Sequence, residues 1–213
     1  MKTTFICLAN SFKEKGRCIA GIEILNNSPV FIAEKPKWIR PVCETEHGQI
    51  PTSLVSKINL LDIVEIEAKE QVPDGFQSEN ILFDTSSIKV IGSFALGELS
   101  GLCESHTSSI FGNRGKAISE ENADSLTYSL CMISAKEFEV YEKTYKDDEY
   151  NSQVRLKFQF KSIEYDLPIT DPAFLNNHKA NKKILIGKNE IYLILSLGII
   201  HNGWHYKLVA GIL

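Results

Sequence analysis

Short apolar runs rich in β-branched residues, each closed by a turn sequence, recur along most of this 213-residue chain. The first two, "TTFICLANSF" and "GRCIAGIEIL", are separated by "KEKG", which is typical of a hairpin with a charged turn. "LLDIVEIEA" alternates from Asp62 onward, so Val64, Ile66 and Ala68 share one face. Many short strands joined by short turns predict an all-β sandwich or small barrels.

The middle of the chain is poorer in strand patterns than either end. The stretch "KEQVPDGFQSENILFDTSS" carries Pro73, Asp74 and Gly75 and is predicted to be a long loop. Further on, Asp171 followed by Pro172 predicts a helix start, and "EIYLILSLGII" and "WHYKLVAGIL" predict a closing hairpin through "HNG". We therefore expect three regions: an N-terminal barrel with a long loop (1–105), a connector of loop and short helix (106–125) and a C-terminal barrel (126–213).

The composition narrows the class of protein. Hydrophobic residues at 43% and charged residues at 23% are ordinary for a globular protein. No apolar run approaches the length of a membrane span, so we expect a cytoplasmic protein without a membrane partner. Five cysteines without a CxxC pair predict reduced thiols rather than a disulfide scaffold.

Charge is unevenly distributed along the chain. The net charge of -4 argues against a general coat for nucleic acid, because nonspecific affinity comes mostly from Lys and Arg on phosphates. Residues 1–42 nevertheless hold seven Lys or Arg against three acids, whereas residues 43–106 hold three lysines against eleven acids. Any basic surface is therefore predicted to be N-terminal.

A series of motifs in this order resembles the prokaryotic family named for a dual OB-containing domain: "CLANSFKEKGRCIAGIE", "KWIRPV", "EHGQI", "LLDIVEI", "QSEN", "SLCMI", "ITDP", "YLILSLG" and "GWHYKLVAGIL". The resemblance spans nearly the whole chain. It implies two OB-like barrels and binding of nucleic acid or nucleotides, in settings of genome conflict or defence. The chain departs from the family pattern at Cys43, where a serine often stands, and at Ile199, where an acid often stands.

The motif "KWIRPV" supplies the main candidate binding residues. On a strand Trp38 and Arg40 share one face, and Pro41 predicts an edge or terminal strand because it cannot donate to a ladder. OB folds bind single strands by stacking bases on aromatic rings while cations follow the phosphates. We predict such a surface from Trp38 and Arg40 with the nearby cations Lys13, Lys15 and Arg17. In the alternative, Trp38 fills the barrel mouth and Arg40 pairs with an acid such as Glu44 or Glu46.

Loop residues supply the remaining candidates. Gln77 and Asn80 of "QSEN" each present a donor and an acceptor, which reading a base edge requires, although such side chains also satisfy a loop's own backbone. Arg114 and Lys116 are candidate phosphate contacts in a glycine-containing loop that lacks the P-loop pattern. In the second barrel we expect Trp204 and Tyr206 to point inward, leaving His205 and Lys207 in solvent.

Two enzymatic or metal-binding alternatives are weaker. Asp62 with Glu67 and Lys69 resembles a metal-dependent nuclease motif, but Asp62 and Glu67 are five residues apart and face opposite ways on a strand. A zinc site could combine two Cys–His pairs, which are Cys43 with His47 and Cys103 with His106. The sequence thus favours a non-enzymatic module without cofactor or metal that binds nucleic acid, with single-stranded or structured DNA or RNA as the expected ligand. A nucleotide-like ligand, a nuclease and a protein scaffold are the alternatives. The sequence leaves the oligomeric state open.

Overall fold

The computed structural model describes residues 1–104, 107–145 and 148–213. Within these ranges the chain divides into two compact units, one formed by Met1–Leu102 with Thr127–Ser129, the other by Cys103–Leu126 with Leu130–Leu213. The described part of the predicted connector belongs to the second unit. Both units consist mainly of β-strands, as the sequence pattern predicts.

The first unit, all of whose residues are described, contains eight strands, one short α-helix and a 3₁₀ helix. These are β1 (Lys2–Lys13), β2 (Gly16–Leu25), β3 (Ser28–Pro29), β4 (Phe31–Ile32), β5 (Lys35–Pro36), β6 (Trp38–Val42), α1 (Thr52–Val55), β7 (Asp62–Gln71), β8 (Asn80–Ser93) and the 3₁₀ helix Leu96–Leu102.

Five of these strands close into a barrel. Their order is β1-β7-β8-β6-β2, and β2 pairs again with β1. Every neighbouring pair is antiparallel except β6 and β8, which run parallel. The closed barrel buries the alternating residues of β7, including Val64 and Ile66, together with Phe5 and Ile19. A closed sheet leaves few free strand edges, so this core is shielded on all sides.

Two sequence expectations about this barrel are wrong. β6 is not an edge strand, because it pairs with β2 at Trp38 and Ile39 and with β8 from Arg40 onward. Pro41 is tolerated because it lies past the last β2 pair, where no amide donor is needed.

The predicted long loop, residues 69–87, is wrong at both ends, because β7 continues to Gln71 and β8 begins at Asn80. The polar residues that resemble a loop form a bulge: Asp84 accepts hydrogen bonds from Ser86, while Ser87 donates to the Asp84 carbonyl and accepts from the Glu67 amide. Side chains here satisfy backbone groups that the interrupted ladder leaves unpaired.

The second unit contains, within its described residues, seven strands, two α-helices and one 3₁₀ segment. These are the 3₁₀ segment Ile110–Gly112, β9 (Ala117–Ser119), α2 (Glu120–Ala123), β10 (Leu130–Ala135), β11 (Phe138–Tyr145), β12 (Asp148–Phe160), β13 (Ile163–Pro168), α3 (Pro172–Ala180), β14 (Ile191–His201) and β15 (Trp204–Ile212).

These strands form two sheets, with orders β10-β14-β15-β9 and β11-β12-β13. A parallel bridge between Ile169 and Val209 connects the end of β13 to β15. The predicted helix start is confirmed, because the Asp171 carboxylate accepts from the amides of Ala173 and Phe174 and Pro172 follows it. The closing hairpin of β14 and β15 is confirmed as well. Among the described residues, no helix is long and apolar enough to cross a membrane.

Candidate nucleic-acid interface

Three predicted cations of the first unit lie together at the hairpin between β1 and β2. Lys13 ends β1, Lys15 lies in the two-residue turn, and Arg17 is on β2. The backbone of Arg17 pairs with Ile50 in both directions, at 2.9 and 2.8 Å. Gly16 packs so closely that a Cβ there would lie 2.6 Å from the Ile50 carbonyl oxygen. The end of the hairpin is therefore held against the barrel.

An aromatic ring that the sequence analysis missed lies beside these cations. Phe12 faces Arg17 across the β1–β2 ladder, and the Arg17 guanidinium carbon lies 4.7 Å from the centre of the Phe12 ring. Phe12 is 50% exposed. A cation at this distance from a ring is attracted to its negative face. The result is a flat, half-exposed ring backed by a guanidinium.

The loop between β7 and β8, residues 72–79, lies near this hairpin. Burial lowers the pKa of the Lys13 ammonium below its ordinary value, and smaller electrostatic effects come from Cys18, Arg40 and Asp74. Asp74 is an exposed residue of the 72–79 loop. Lys13 is therefore within electrostatic range of the 72–79 loop.

Arg40, on β6 of the same barrel, is the centre of a buried polar network. Its Nη2 lies 3.0 Å from Glu79 Oε1 and donates to Ser129 Oγ at 2.7 Å. Ser129 in turn donates to Glu79, Arg40 Nη1 donates to Asn80 Oδ1 at 3.5 Å, and the Asn80 amide donates to Gln77 at 3.3 Å. All five residues are at most 7% exposed. The motifs "KWIRPV" and "QSEN" and the first residue of "SLCMI" therefore meet in one cluster.

Arg40, Gln77 and Asn80 thus lie inside the first unit rather than on its surface. Arg40 forms an ion pair, as the alternative interpretation supposed, but its partner is Glu79 rather than Glu44 or Glu46. The cause is register: parallel pairing of Arg40 with Asn80 brings the residue before Asn80 beside the guanidinium. The Arg40 side chain of "KWIRPV" is therefore part of the barrel interior and not of an exposed platform.

Trp38 is more buried than Phe12 and less buried than Arg40. It is half-buried, pairs with Ile22 of β2, and has a buried indole nitrogen without a hydrogen-bond partner among the described residues. A buried indole nitrogen leaves only part of the ring open to solvent. Phe12 therefore offers a ring at the hairpin that is less enclosed than that of Trp38.

The sequence matches the model of the dual OB-containing domain family over residues 3–212. The chain belongs to this family. The strand order agrees, because the barrel order β1-β2-β6-β8-β7 follows the five OB strands as 1-2-3-5-4, with a short helix between strands 3 and 4. In the second OB unit, β10 with β11, β12, β13, β14 and β15 correspond to strands 1 to 5, and α3 takes the place of the helix.

Several solved structures share low similarity with the chain. One, described as the molecular basis for abrogation of activation of pro-inflammatory cytokines, has 9% identity and a TM-score of 0.35, covering 100% of this chain and 91% of that one. The tetrameric p202 HIN2 structure has 10% identity and a TM-score of 0.33, with 98% and 86% covered. A replication protein A heterotrimer bound to ssDNA has 11% identity and a TM-score of 0.31, with 92% and 43% covered. No curated protein sequence matches the chain.

The two predicted loop cations belong to the second OB unit. Arg114 and Lys116 are exposed and precede β9, and the Lys116 carbonyl accepts from the Lys207 amide at 2.9 Å. Their side chains lie on a different unit from Lys13, Lys15 and Arg17. As phosphate contacts they remain a prediction.

The expected facing of β15 is wrong. Trp204 is 47% exposed, whereas His205 and Lys207 are buried. The Lys207 ammonium donates to the carbonyls of Ile110 and Asn113 at 2.7 and 2.6 Å, and burial lowers its pKa to about 8. Ile110 and Asn113 are distant from Lys207 in sequence, and their carbonyls accept the hydrogen bonds that the buried ammonium needs. The Lys207 side chain therefore points inward, whereas the Trp204 indole is partly exposed.

The nuclease candidates are spread along β7. Asp62 accepts from the Asn59 amide at 2.7 Å, while Glu67 and Lys69 are exposed further along β7. Among the described residues, no group of three or more His, Cys, Asp or Glu is placed to hold a metal ion. Cys43 and His47 are in the first unit and Cys103 is in the second, whereas His106 lies outside the described residues.

Proposed function

We propose that the protein binds single-stranded nucleic acid through the first OB barrel. The observation that carries the proposal is where four residues lie in the barrel: Lys13 ends strand 1, Lys15 is in the loop joining strands 1 and 2, Arg17 is on strand 2 and Trp38 is on strand 3. In OB folds the face of strands 2 and 3, with the loops between strands 1 and 2 and between strands 4 and 5, binds oligonucleotides. The β1–β2 turn and the 72–79 loop are these two loops.

Local charge supports the same surface. The protein is acidic overall, yet the hairpin carries three cations within five residues, and Glu14 is the acid among them. Cations that follow a phosphate backbone supply most of the affinity for a single strand. A local basic surface on an acidic protein favours a confined site over nonspecific coating.

The buried network has a supporting role in this proposal. Arg40, Gln77 and Asn80 connect strand 3 to the end of the 72–79 loop, so they fix that end of the loop against strand 3. A loop fixed in this way loses less conformational entropy when a ligand binds. Binding in a prokaryotic defence system, which the family resemblance implies, is the setting we propose for this function.

The test is fluorescence anisotropy of a labelled oligothymidylate titrated with the full chain at several salt concentrations. A variant carrying Lys13→Gln, Lys15→Gln and Arg17→Gln removes three charges from the surface. Each lost phosphate contact lowers the slope of log K against log salt by about 0.7 for single strands, so we expect the slope to fall by roughly 2.

The control is Lys2→Gln with Lys89→Gln, which removes two cations elsewhere on the barrel. Both lysines are exposed and pair with Glu65 on the same barrel, away from the hairpin. This control should retain the salt slope. Absence of saturable binding by the wild type at low salt, or equal losses in the two variants, would contradict the proposal.

A further inference from the structure

We propose that Phe12 is the base-stacking residue of the first barrel, with Arg17 holding its ring from behind. This inference rests on the proposed function and names the group that the site recognises. The ligand is an unpaired nucleobase, so recognition depends on the base and not only on the phosphate.

The geometry of Phe12 supports this role. An exposed phenylalanine by itself needs no explanation. Here the ring has a cation 4.7 Å from its centre on one side and is half exposed. The exposed half of the ring is open to a second flat group while the guanidinium contacts the ring, and bases stack on such rings whatever their identity.

The backbone beneath the ring is fixed. Phe12 and Arg17 are cross-strand partners on two strands joined by a two-residue turn, which sets their register. Arg17 is bonded through its backbone to Ile50 in both directions, and Gly16 is packed against the Ile50 carbonyl. The ring and guanidinium are therefore positioned before any ligand arrives, which lowers the entropic cost of stacking.

The surroundings fit a nucleotide rather than an apolar peptide. Lys13 and Lys15 lie one and three residues after Phe12, so the end of the hairpin that carries the ring is positively charged. Trp38 is less suited to stacking, because its indole nitrogen is buried. Bases in a duplex already stack on their neighbours, so a Phe12 platform selects single strands.

The experiment compares three labelled probes of equal length: oligothymidylate, an abasic oligonucleotide with the same phosphates, and a duplex. The wild type should bind oligothymidylate more tightly than the abasic probe. Phe12→Leu removes the aromatic face but keeps an apolar side chain, so it should weaken oligothymidylate binding about 5- to 150-fold. Its affinity for the abasic probe should stay within about twofold of the wild type, because the phosphate contacts are intact.

Two further variants sharpen the test. Phe12→Trp retains an aromatic face and should preserve the preference for oligothymidylate. Phe31→Leu removes another exposed phenylalanine of the same unit, 46% exposed, and should leave the preference unchanged. Circular dichroism of each variant verifies that the fold is intact.

The outcomes separate the two proposals. If the wild type binds neither single-stranded probe, the proposed function fails, and this inference fails with it. If the wild type binds oligothymidylate but Phe12→Leu keeps the preference over the abasic probe, only the stacking role of Phe12 is overturned. If the wild type binds both single-stranded probes equally, stacking is overturned while phosphate binding stands.

Discussion

Breaking the buried ion pair between Arg40 and Glu79 should destabilise the first unit strongly and selectively. Their charged atoms lie 3.0 Å apart, with side-chain exposures of 2% and 4%. At an effective dielectric constant of about 20, two charges at this distance attract with roughly 5 kcal/mol. Glu79→Gln keeps the shape of the side chain but leaves the buried guanidinium without its counter-charge. We expect a loss of about 3–5 kcal/mol in the free energy of unfolding of this unit.

A double-mutant cycle isolates the pair from its surroundings. Arg40→Met alone leaves a buried carboxylate unpaired and should cost a similar amount, whereas Arg40→Met with Glu79→Gln leaves neither charge. The double variant should therefore be more stable than the sum of the single effects predicts, by about 3 kcal/mol. Glu23→Gln, which removes the partly exposed ion pair with Lys37 on the same unit, serves as control and should cost less than about 1 kcal/mol.

The two tryptophans allow each unit to be followed separately. Trp38 belongs to the first unit and Trp204 to the second, and the chain has no others. In a Trp204→Phe background, denaturant unfolding followed by fluorescence reports on the unit that contains Arg40. A cost for Glu79→Gln no larger than that of Glu23→Gln, or purely additive effects in the cycle, would refute the reasoning.

Three further predictions concern single positions. Lys207 has a folded pKa of about 8 against an ordinary 10.5, so the unfolded chain binds more protons between these values. The stability of wild type relative to Lys207→Met should therefore rise, by on the order of 3 kcal/mol, as pH increases from 8 to 10.5, and a flat difference in unfolding followed by Trp204 would argue against a buried charge. Asp171→Ala should cost about 1 kcal/mol by removing the cap of α3, and Asp171→Ser should restore most of it in thermal unfolding. Gly21→Ala would place a Cβ 1.8 Å from the Ile6 carbonyl oxygen and should lower the midpoint of denaturation sharply, whereas Gly97→Ala, with no atom within 4 Å of its added Cβ, should not.

Local patterns predicted those parts of the fold in which neighbouring residues determine the structure. The β1–β2 and β14–β15 hairpins, the alternation of β7 and the start of α3 depend on residues a few positions apart, and all are present. The resemblance to the family predicted two OB-like barrels, and the observed strand orders agree with that prediction. The loop prediction was wrong where polar side chains form hydrogen bonds within a strand, as in the β8 bulge at Asp84.

The candidate site was harder to predict because alternation along a strand tells which residues share a face but not which face is buried. On β15 the sequence offers two aromatic residues on one face and two cationic or titratable residues on the other, and hydrophobicity favours burial of the aromatics. The structure buries the other face because the carbonyls of Ile110 and Asn113 are there to accept from Lys207.

The same physical reasoning applies to Arg40. Its burial depends on Glu79, 39 residues away in sequence and brought beside it by parallel pairing of β6 with β8. An ion pair of this kind stabilises only when both partners are present, so the composition of either motif alone cannot reveal it. Phe12 is the converse case: its cross-strand partner Arg17 lies five residues away, across a turn that the sequence predicts. Pairing the two strands of the predicted hairpin residue by residue places Phe12 opposite Arg17, so the position of this ring, unlike the burial of Arg40, follows from residues that are close in sequence.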